Sequence, residues 1–168
     1  ELDKDLLGIK GIAGFYIIDS GDGLVMLDAG SILDVERAFV EVRNWRPVTP
    51  LVAAIFTHHH VDHIFSTELF EKEAIDKGWP KPEVYGHSLM PDHFDRYLNT
   101  LGWNTAINRR QFAINVPKFR WPEHYRYPDK TYTEEMNFKT GTLSFELHHA
   151  RGETDDHTWV FIPERKIL

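Results

Sequence analysis

The feature of this 168-residue sequence that most constrains its fold is an apolar run, residues 51–57, that leads directly into a histidine-rich tract. A continuous apolar run of this length is typical of a strand that is buried on both faces of a helix-covered sheet. The tract that follows, His58 to His63, contains four histidines and one aspartate. The sequence therefore predicts an α/β fold with metal-ligating side chains directly after one of its buried strands.

The rest of the sequence predicts further strands and helices around that strand. Residues 14–19 and 24–27 are apolar runs separated by a Gly-rich turn, which predicts a β-hairpin. Helical spacing of apolar residues predicts helices at 35–45, 66–78 and 88–101, and residues 104–124 begin as helix and continue irregularly. Ser31 and Asp34 form a capping-box pattern before the first helix. The remaining strands are predicted at 84–86, 130–132, 142–148 and 158–162.

Charge and composition exclude several classes of function. Nineteen Lys and Arg residues against 26 Asp and Glu residues give a net charge of −7, which argues against binding to nucleic acid or to an anionic membrane. No apolar run is long enough to span a bilayer. The absence of cysteine excludes disulfides, thiolate zinc sites and a cysteine nucleophile, but it leaves the cellular compartment undecided.

The spacing within the histidine tract favours metal binding. Because residues two apart on an extended segment point the same way, His58 and His60 can present two imidazoles to one cation. Asp62 and His63 follow and are placed to bind a second cation. Nitrogen-rich ligation with a carboxylate suits Zn²⁺, and Fe²⁺ or Mn²⁺ would also be accepted. The alternative, a solvated histidine loop, is disfavoured by the fixed order of these residues at the end of a buried strand.

The order His58-x-His60-x-Asp62-His63 resembles the signature of the metallo-β-lactamase superfamily, and the turn Leu27-Asp28-Ala29-Gly30 fits that resemblance. The resemblance covers the whole chain. It implies an αββα sandwich with two metal ions at one edge, between the two sheets. It also implies that Asp62 and His63 hold the second ion, and that Asp62 orients a bridging hydroxide as the catalytic residue.

A second family motif, usually Gly-His-Thr, corresponds here to Gly152-Glu153-Thr154. The resemblance therefore places Glu153 as the third ligand of the first ion. A glutamate at this position resembles the pattern of the alkylsulfatase branch of the superfamily. The segment 84–89, followed by a helix and then Arg109-Arg110, resembles the same branch. This resemblance implies a small-molecule substrate, a sulfate ester of an alkyl or aryl alcohol.

Three residues are candidates for substrate binding. Arg109 and Arg110 could hold a sulfate or carboxylate group through paired hydrogen bonds, or they are ordinary exposed helix charges. His87 follows a short predicted strand near the expected cleft, where it either contacts substrate or only packs. The aromatic residues between 119 and 132 either line a pocket or pack in the ordinary way.

Several residues near the motifs have secondary interpretations. His149 is expected to support a ligand and His148 to lie at the surface, although either could replace the glutamate as a ligand. Asp28 is expected to accept a hydrogen bond from backbone near the histidine tract. Asp155 and Asp156 are expected only to cap the start of the last strand.

Two functional alternatives remain open. The chain could hydrolyse another ester class (a lactone, β-lactam, thioester or phosphoester), or it could be a non-catalytic metal-binding domain. In the superfamily, a bridging carboxylate and a last histidine ligand come later than the position at which this sequence stops, Leu168. We therefore expect residues 1–168 to be the N-terminal part of a single domain that a companion chain or a neighbouring protomer completes.

Overall fold

The computed structural model describes residues 3–168 as an alternating series of strands and helices. The helices are α1 (Val35–Trp45), α2 (Glu68–Lys77), α3 (Met90–Asn99) and α4 (Leu101–Gln111). The strands are β1 (Leu6–Ile9), β2 (Phe15–Asp19), β3 (Leu24–Leu27), β4 (Leu51–Ile55), β5 (Glu83–His87), β6 (Lys130–Tyr132), β7 (Glu135–Thr140), β8 (Leu143–His149) and β9 (Thr158–Phe161). No helix in residues 3–168 is long and apolar enough to cross a membrane.

The strands form two sheets. The larger sheet has the order β1-β2-β3-β4-β5-β6, with antiparallel pairing among β1, β2 and β3 and parallel pairing from β3 to β6. Parallel neighbours require crossover connections, and here α1, α2 and the pair α3 and α4 supply them. The smaller sheet is an antiparallel set in the order β7-β8-β9.

Two apolar clusters define the layers of the molecule. In the first cluster, Phe15, Met26 and Phe56 from the larger sheet pack against Val42 of α1 and Phe94 of α3. In the second cluster, Ile18, Val25 and Ile55 on the other face of the larger sheet pack against Phe145 and Leu147 of the smaller sheet. The described layers are therefore helix, six-stranded sheet and three-stranded sheet, which are three of the four layers of an αββα sandwich.

Most elements that the sequence predicts are present. The hairpin, the central strand and the strands at 84–86, 130–132, 142–148 and 158–162 correspond to β2 to β6, β8 and β9. Ser31 and Asp34 bond to each other as in a capping box, but on a turn before α1, which itself begins at Val35. The second helix ends, as predicted, at Gly78, which adopts a left-handed conformation with φ of 67°.

The sequence interpretation was incomplete in three places. Strands β1 and β7 were not predicted, because β1 has only four residues and β7 alternates half-buried with exposed polar positions. The helical region after residue 88 breaks at Thr100, so that α4 begins three residues before its predicted start.

The topology brings the polar loops to one edge of the sandwich. Strands β3, β4 and β5 are parallel, so that Asp28, the histidine tract and His87 all lie at or beyond their carboxyl ends. The loop between β8 and β9 reaches the same edge, where the Thr158 backbone N–H donates to the Thr57 carbonyl at 2.7 Å. Residues from both sheets therefore meet there.

Candidate metal centre

Three side chains that the sequence suggests as ligands of a first ion converge in the structure. The ligand atoms of His58, His60 and Glu153 all lie within 4.8 Å of one another. Glu153 Oε1 is 3.2 Å from His60 Nδ1, and Glu153 Oε2 is 3.8 Å from His58 Nε2. The two imidazoles come from the loop after β4, and the carboxylate comes from the loop between β8 and β9.

The hydrogen bonds of His58 fix its tautomer in the form that a metal requires. The Thr57 hydroxyl donates to Asp28 Oδ2 at 3.0 Å, so it accepts the proton of His58 Nδ1, at 2.9 Å. The other ring nitrogen, Nε2, then carries a lone pair, and this buried atom has no hydrogen-bond partner among residues 3–168. Burial, together with the neighbouring imidazoles, lowers the pKa of His58 to about 3. His58 is thus a neutral imidazole with an unused lone pair, the form in which histidine can bind a metal.

A second group, His63 with Asp62, lies directly beside the first. The His63 and His58 rings are 4.2 Å apart between centroids, and His63 Nε2 is 3.8 Å from Asp62 Oδ2. His63 Nδ1 donates to Asp28 Oδ2 at 2.7 Å, so the other ring nitrogen, Nε2, is available to a different partner. Burial lowers the pKa of His63, but Asp28, Asp62 and Glu153 raise it by more, so that the net shift is upward. The same negative charges favour a bound cation.

Asp28 supports both groups from an uncommon backbone conformation. Its φ is 61°, in the left-handed region that Asp tolerates better than most residues, and Gly30 has the same value. A Cβ at Gly30 would lie 2.6 Å from the Phe15 ring, so a side chain does not fit there. Asp28 Oδ1 accepts the Thr57 backbone N–H at 2.7 Å, which confirms the expected backbone bond, while Oδ2 binds His63. This turn therefore orients imidazoles as metal sites require.

A second cluster of three potential ligands, which the sequence analysis missed, adjoins the first. The ligand atoms of His59, His93 and Asp156 also lie within 4.8 Å of one another. Asp156 Oδ1 is 2.9 Å from His59 Nδ1, and the rings of His59 and His93 stack at 3.9 Å. Asp156 was expected only to cap a strand, but it is fully buried against the histidine loop. Its local sequence gives no signal of this contact, because the partner is 97 positions away.

This second cluster is largely saturated by protein contacts, because both oxygens of Asp156 and both ring nitrogens of His59 have partners. The Arg96 guanidinium, which can only donate, is 3.3 Å from His59 Nε2, so the proton of His59 is on Nδ1 and points to Asp156. Burial raises the pKa of Asp156, but hydrogen bonds from His59 and Thr154 outweigh it and bring the pKa to about 2. Burial has the opposite effect on His59, whose pKa it lowers. Asp156 is therefore ionised and His59 neutral, and the Arg96 guanidinium supplies the positive charge that a metal ion would otherwise bring.

One further imidazole lies beside the first group. The ring of His157 stacks on that of His58 at 5.2 Å between centroids, and its Nδ1 is buried without a hydrogen-bond partner in residues 3–168. His157 lies outside the motifs that indicate a metal site in the sequence. Its position four residues after Glu153, in a loop already assigned to the site, was the available signal.

The residues predicted to bind substrate lie in two different environments. His87 is buried; its Nε2 donates to the Thr133 carbonyl at 2.9 Å and its Nδ1 accepts from the Leu89 N–H at 3.3 Å. Contact between His87 and a substrate would therefore require one of these bonds to break. Arg109 and Arg110 are exposed in the last turn of α4, and their side chains form no hydrogen bond or ion pair with residues 3–168.

The two histidines at the end of β8 are held away from the ligand atoms. His149 Nε2 donates to the Asp155 carbonyl at 2.8 Å, and its ring stacks on His87 at 4.2 Å. His148 stacks on Trp159 at 4.1 Å and is partly exposed. Neither histidine belongs to the group formed by the first-site ligands.

The aromatic residues of the segment 119–132 pack on α3. Tyr125 stacks on Phe94 at 4.9 Å, and Trp121 meets Tyr97 edge-on at 5.6 Å. These side chains lie against the first apolar cluster. Packing, rather than a pocket lining, accounts for them.

Comparison with known proteins agrees with this geometry. The family model described as the Metallo-beta-lactamase superfamily matches residues 13–168. An (R)-specific secondary-alkylsulfatase from Pseudomonas sp. is 28% identical over 124 residues, which is 70% of this chain and 18% of that protein. A linear primary-alkylsulfatase from Pseudomonas sp. (strain ATCC 19151) is 18% identical over 168 residues, which is 90% of this chain and 31% of that protein.

Solved structures show the same fold. A stereoselective inverting sec-alkylsulfatase from Pseudomonas sp. superposes with a TM-score of 0.74 at 19% identity, covering 98% of this chain and 29% of that one. A metallo-beta-lactamase from Pontibacter korlensis superposes with a TM-score of 0.60 at 15% identity, covering 98% and 66%. The chain thus spans less than a third of the length of these alkylsulfatases. The expectation that a companion chain or protomer completes the domain stays a prediction.

Proposed function

This chain belongs to the metallo-β-lactamase superfamily, and from that premise we propose that it is a metal-dependent hydrolase of alkyl or aryl sulfate esters. The observation that carries the proposal is the convergence of His58, His60 and Glu153 beside Asp62 and His63. The alkylsulfatase relatives support the choice of sulfate esters as substrates.

Two zinc ions would fit the two adjacent groups. His58, His60 and Glu153 would hold the first ion, and Asp62 with His63 would contribute to the second. The fit rests on the unpartnered Nε2 of His58 and on the acidic surroundings of His63. Bound there, the ions would supply Lewis acidity and a water molecule with a lowered pKa. The same donors would accept Fe²⁺ or Mn²⁺.

The chain's own residues would then orient the reactants. We assign Asp62 the task of accepting a hydrogen bond from the attacking water, because its carboxylate lies beside His63 and is one of the least enclosed groups of the site. Asp28 would keep His58 and His63 in the required tautomers. Hydrolysis adds one water across the ester and yields the alcohol and inorganic sulfate.

The anionic substrate requires a cation near the site. Arg109, Arg110 and His87 remain our sequence-based candidates. The structure adds Arg96, whose guanidinium touches His59 in the ligand loop and has no carboxylate partner among residues 3–168. If Arg96 holds the sulfate group, Arg96→Ala should raise KM more than Arg109→Ala or Arg110→Ala does, whereas the reverse order would favour the α4 arginines.

The test is a panel of esters at saturating zinc, run on the protein together with any companion chain or protomer that completes the domain. Sulfate release from a nitrophenyl sulfate and from secondary and linear alkyl sulfates would be measured by ion chromatography, next to a lactone, a β-lactam, a thioester and a phosphoester. We expect turnover of a sulfate ester that is lost in His60→Ala and retained in Arg120→Ala, a control whose side chain is 78% exposed. Turnover only of another ester would overturn the substrate assignment. Zinc binding with no turnover would indicate a metal-binding domain without catalysis.

A further inference from the structure

Asp156 is bonded to the ligand loop through both of its carboxylate oxygens. Its Oδ2 accepts the backbone N–H of His59 at 3.0 Å, and its Oδ1 accepts the ring Nδ1–H of the same residue at 2.9 Å. The Thr154 hydroxyl donates to Oδ1 from the other side. Asp156 is 0% exposed, so water does not compete for these bonds.

The bonds to His59 matter because of where this residue lies in the histidine tract. His59 lies between His58 and His60, so the orientation of its peptide groups decides where the two flanking imidazoles point. The His59 ring is held at its other nitrogen by Arg96, at 3.3 Å. Backbone and side chain of the central residue in the histidine loop are therefore both fixed.

Asp156 connects the histidine loop to a second loop, the one that carries Glu153. The Glu153 side chain is 62% exposed, and its ion-pair contacts in the described residues are with the imidazoles of His58 and His60. Its position therefore depends on how its own loop is anchored. Asp156, three residues later, is the buried anchor of that loop on the histidine tract.

We propose that Asp156 is a positioning residue that clamps the Glu153 loop to the histidine loop, and so sets the affinity and ligand geometry of the first metal site. The inference rests on the proposed function for the existence of that site. Asp156 does not bind metal or substrate itself; it acts through His59.

Asp155 offers a matched control in the same loop. It carries the same charge and is adjacent in sequence, but its side chain is 61% exposed and has one partner, His93 Nε2 at 2.7 Å. If negative charge near the site were all that mattered, Asp155 and Asp156 would have similar effects. If the two-oxygen bond to His59 matters, they differ.

The experiment measures zinc affinity by chelator competition, and the ligand field by visible absorption after Co²⁺ substitution, for wild type, Asp156→Asn and Asp155→Asn. Supporting partners of metal ligands typically contribute 10- to 100-fold in metal affinity. We expect Asp156→Asn to lose at least about tenfold in first-site affinity and to shift the Co²⁺ bands. Asp155→Asn should keep the wild-type affinity within about twofold, well below that loss.

A purely structural role would give a different result. Asp156→Asn would then lower the midpoint of thermal unfolding while leaving zinc affinity and the Co²⁺ spectrum unchanged, which would overturn the inference. If Asp156→Asn does not fold, His59→Ala tests the same connection, because it retains the backbone bond and removes only the ring bond. We expect it to lose affinity by a smaller factor, and wild-type affinity and spectrum in His59→Ala would overturn the proposal.

The two proposals fail in distinguishable ways. Wild-type protein that binds no zinc contradicts the proposed function and this inference together. Wild-type protein that binds zinc, with Asp156→Asn binding equally well, contradicts this inference alone.

Discussion

Two clusters of similar composition lie side by side in this protein: His58, His60 and Glu153 form one, and His59, His93 and Asp156 form the other. Each contains two histidines and one carboxylate with ligand atoms within 4.8 Å of one another. In the first, His58 Nε2 has an unused lone pair and the carboxylate is exposed. In the second, the carboxylate is buried, and both oxygens of Asp156 and both ring nitrogens of His59 have protein partners.

The clusters differ in hydrogen-bond saturation and charge more than in composition, since each has two imidazoles and one carboxylate. Arg96 supplies a fixed positive charge to the second cluster, which leaves no place for a cation. The first cluster has no such arginine contact among residues 3–168, and it faces the additional carboxylate of Asp62 beside His63. A group of potential ligands is thus a metal site only where its lone pairs are still available.

Removal of the open imidazoles should have the largest effect. The double variant His58→Ala/His60→Ala lacks two of the three first-site ligands, so we expect it to lose tight zinc binding completely. Metal content after dialysis, measured by mass spectrometry, checks this. His93→Ala is the control from the second cluster and should still retain zinc. Full zinc content in the double variant would place the metal elsewhere.

Asp62 should matter far more for turnover than for stability. If it orients the attacking water, Asp62→Ala should reduce kcat by about 10²- to 10⁴-fold, the usual range for a residue that assists proton transfer. Because its carboxylate is partly exposed, the midpoint of thermal unfolding of the metal-free protein should change little. Comparable losses in turnover and in stability would contradict this division.

From the sequence, either Glu153 or His149 could be the third ligand of the first ion. In the structure, Glu153 lies with His58 and His60, and His149 does not. Glu153→Gln removes the charged oxygens beside His58 and His60, so first-site zinc affinity should fall. His149→Ala removes a ring that bonds to the Asp155 carbonyl, so zinc content should stay close to that of the wild type. The opposite pattern in a zinc titration would move the ligand to His149.

Asp28 is the counterpart of Asp156 on the other side of the histidine loop. Asp28→Asn changes the carboxylate that binds His63 Nδ1 and the Thr57 hydroxyl. The tautomers of His58 and His63 are then less well fixed. We expect a 10- to 100-fold loss of zinc affinity, read by chelator competition. Equal affinity in Asp28→Asn would show that the tautomers are held by other contacts.

Acid should affect the saturated cluster at a predictable pH. The pKa of Asp156 falls from 3.8 to about 2 on folding, so its ionised form stabilises the native state above pH 4. That contribution, on the order of 2 kcal/mol, is lost as the pH falls from about 4 to 2. Denaturant unfolding of the metal-free protein over this range should show a smaller pH dependence in Asp156→Asn. Equal pH dependence in both proteins would show that Asp156 is not the titrating group.

The sequence alone determined the elements that depend on local patterns. The apolar residues of β4, the turn between β2 and β3 and the periodicity of α1 each lie within a short window, so their structures follow from neighbouring residues. The same holds for the order of His58, His60, Asp62 and His63, since these ligands share one loop. Family resemblance added Glu153 from a distant position in the sequence.

Only the tertiary structure decided which other residues belong to the site. The bond between His59 and Asp156 joins residues 97 positions apart, and the contact of Arg96 with His59 depends on how α3 packs on the larger sheet. Strands β1 and β7, which no local pattern indicates, likewise form because a partner strand is present. Such contacts arise when chain segments that are remote in sequence are brought together and desolvated, and a local pattern of residues carries no record of that pairing.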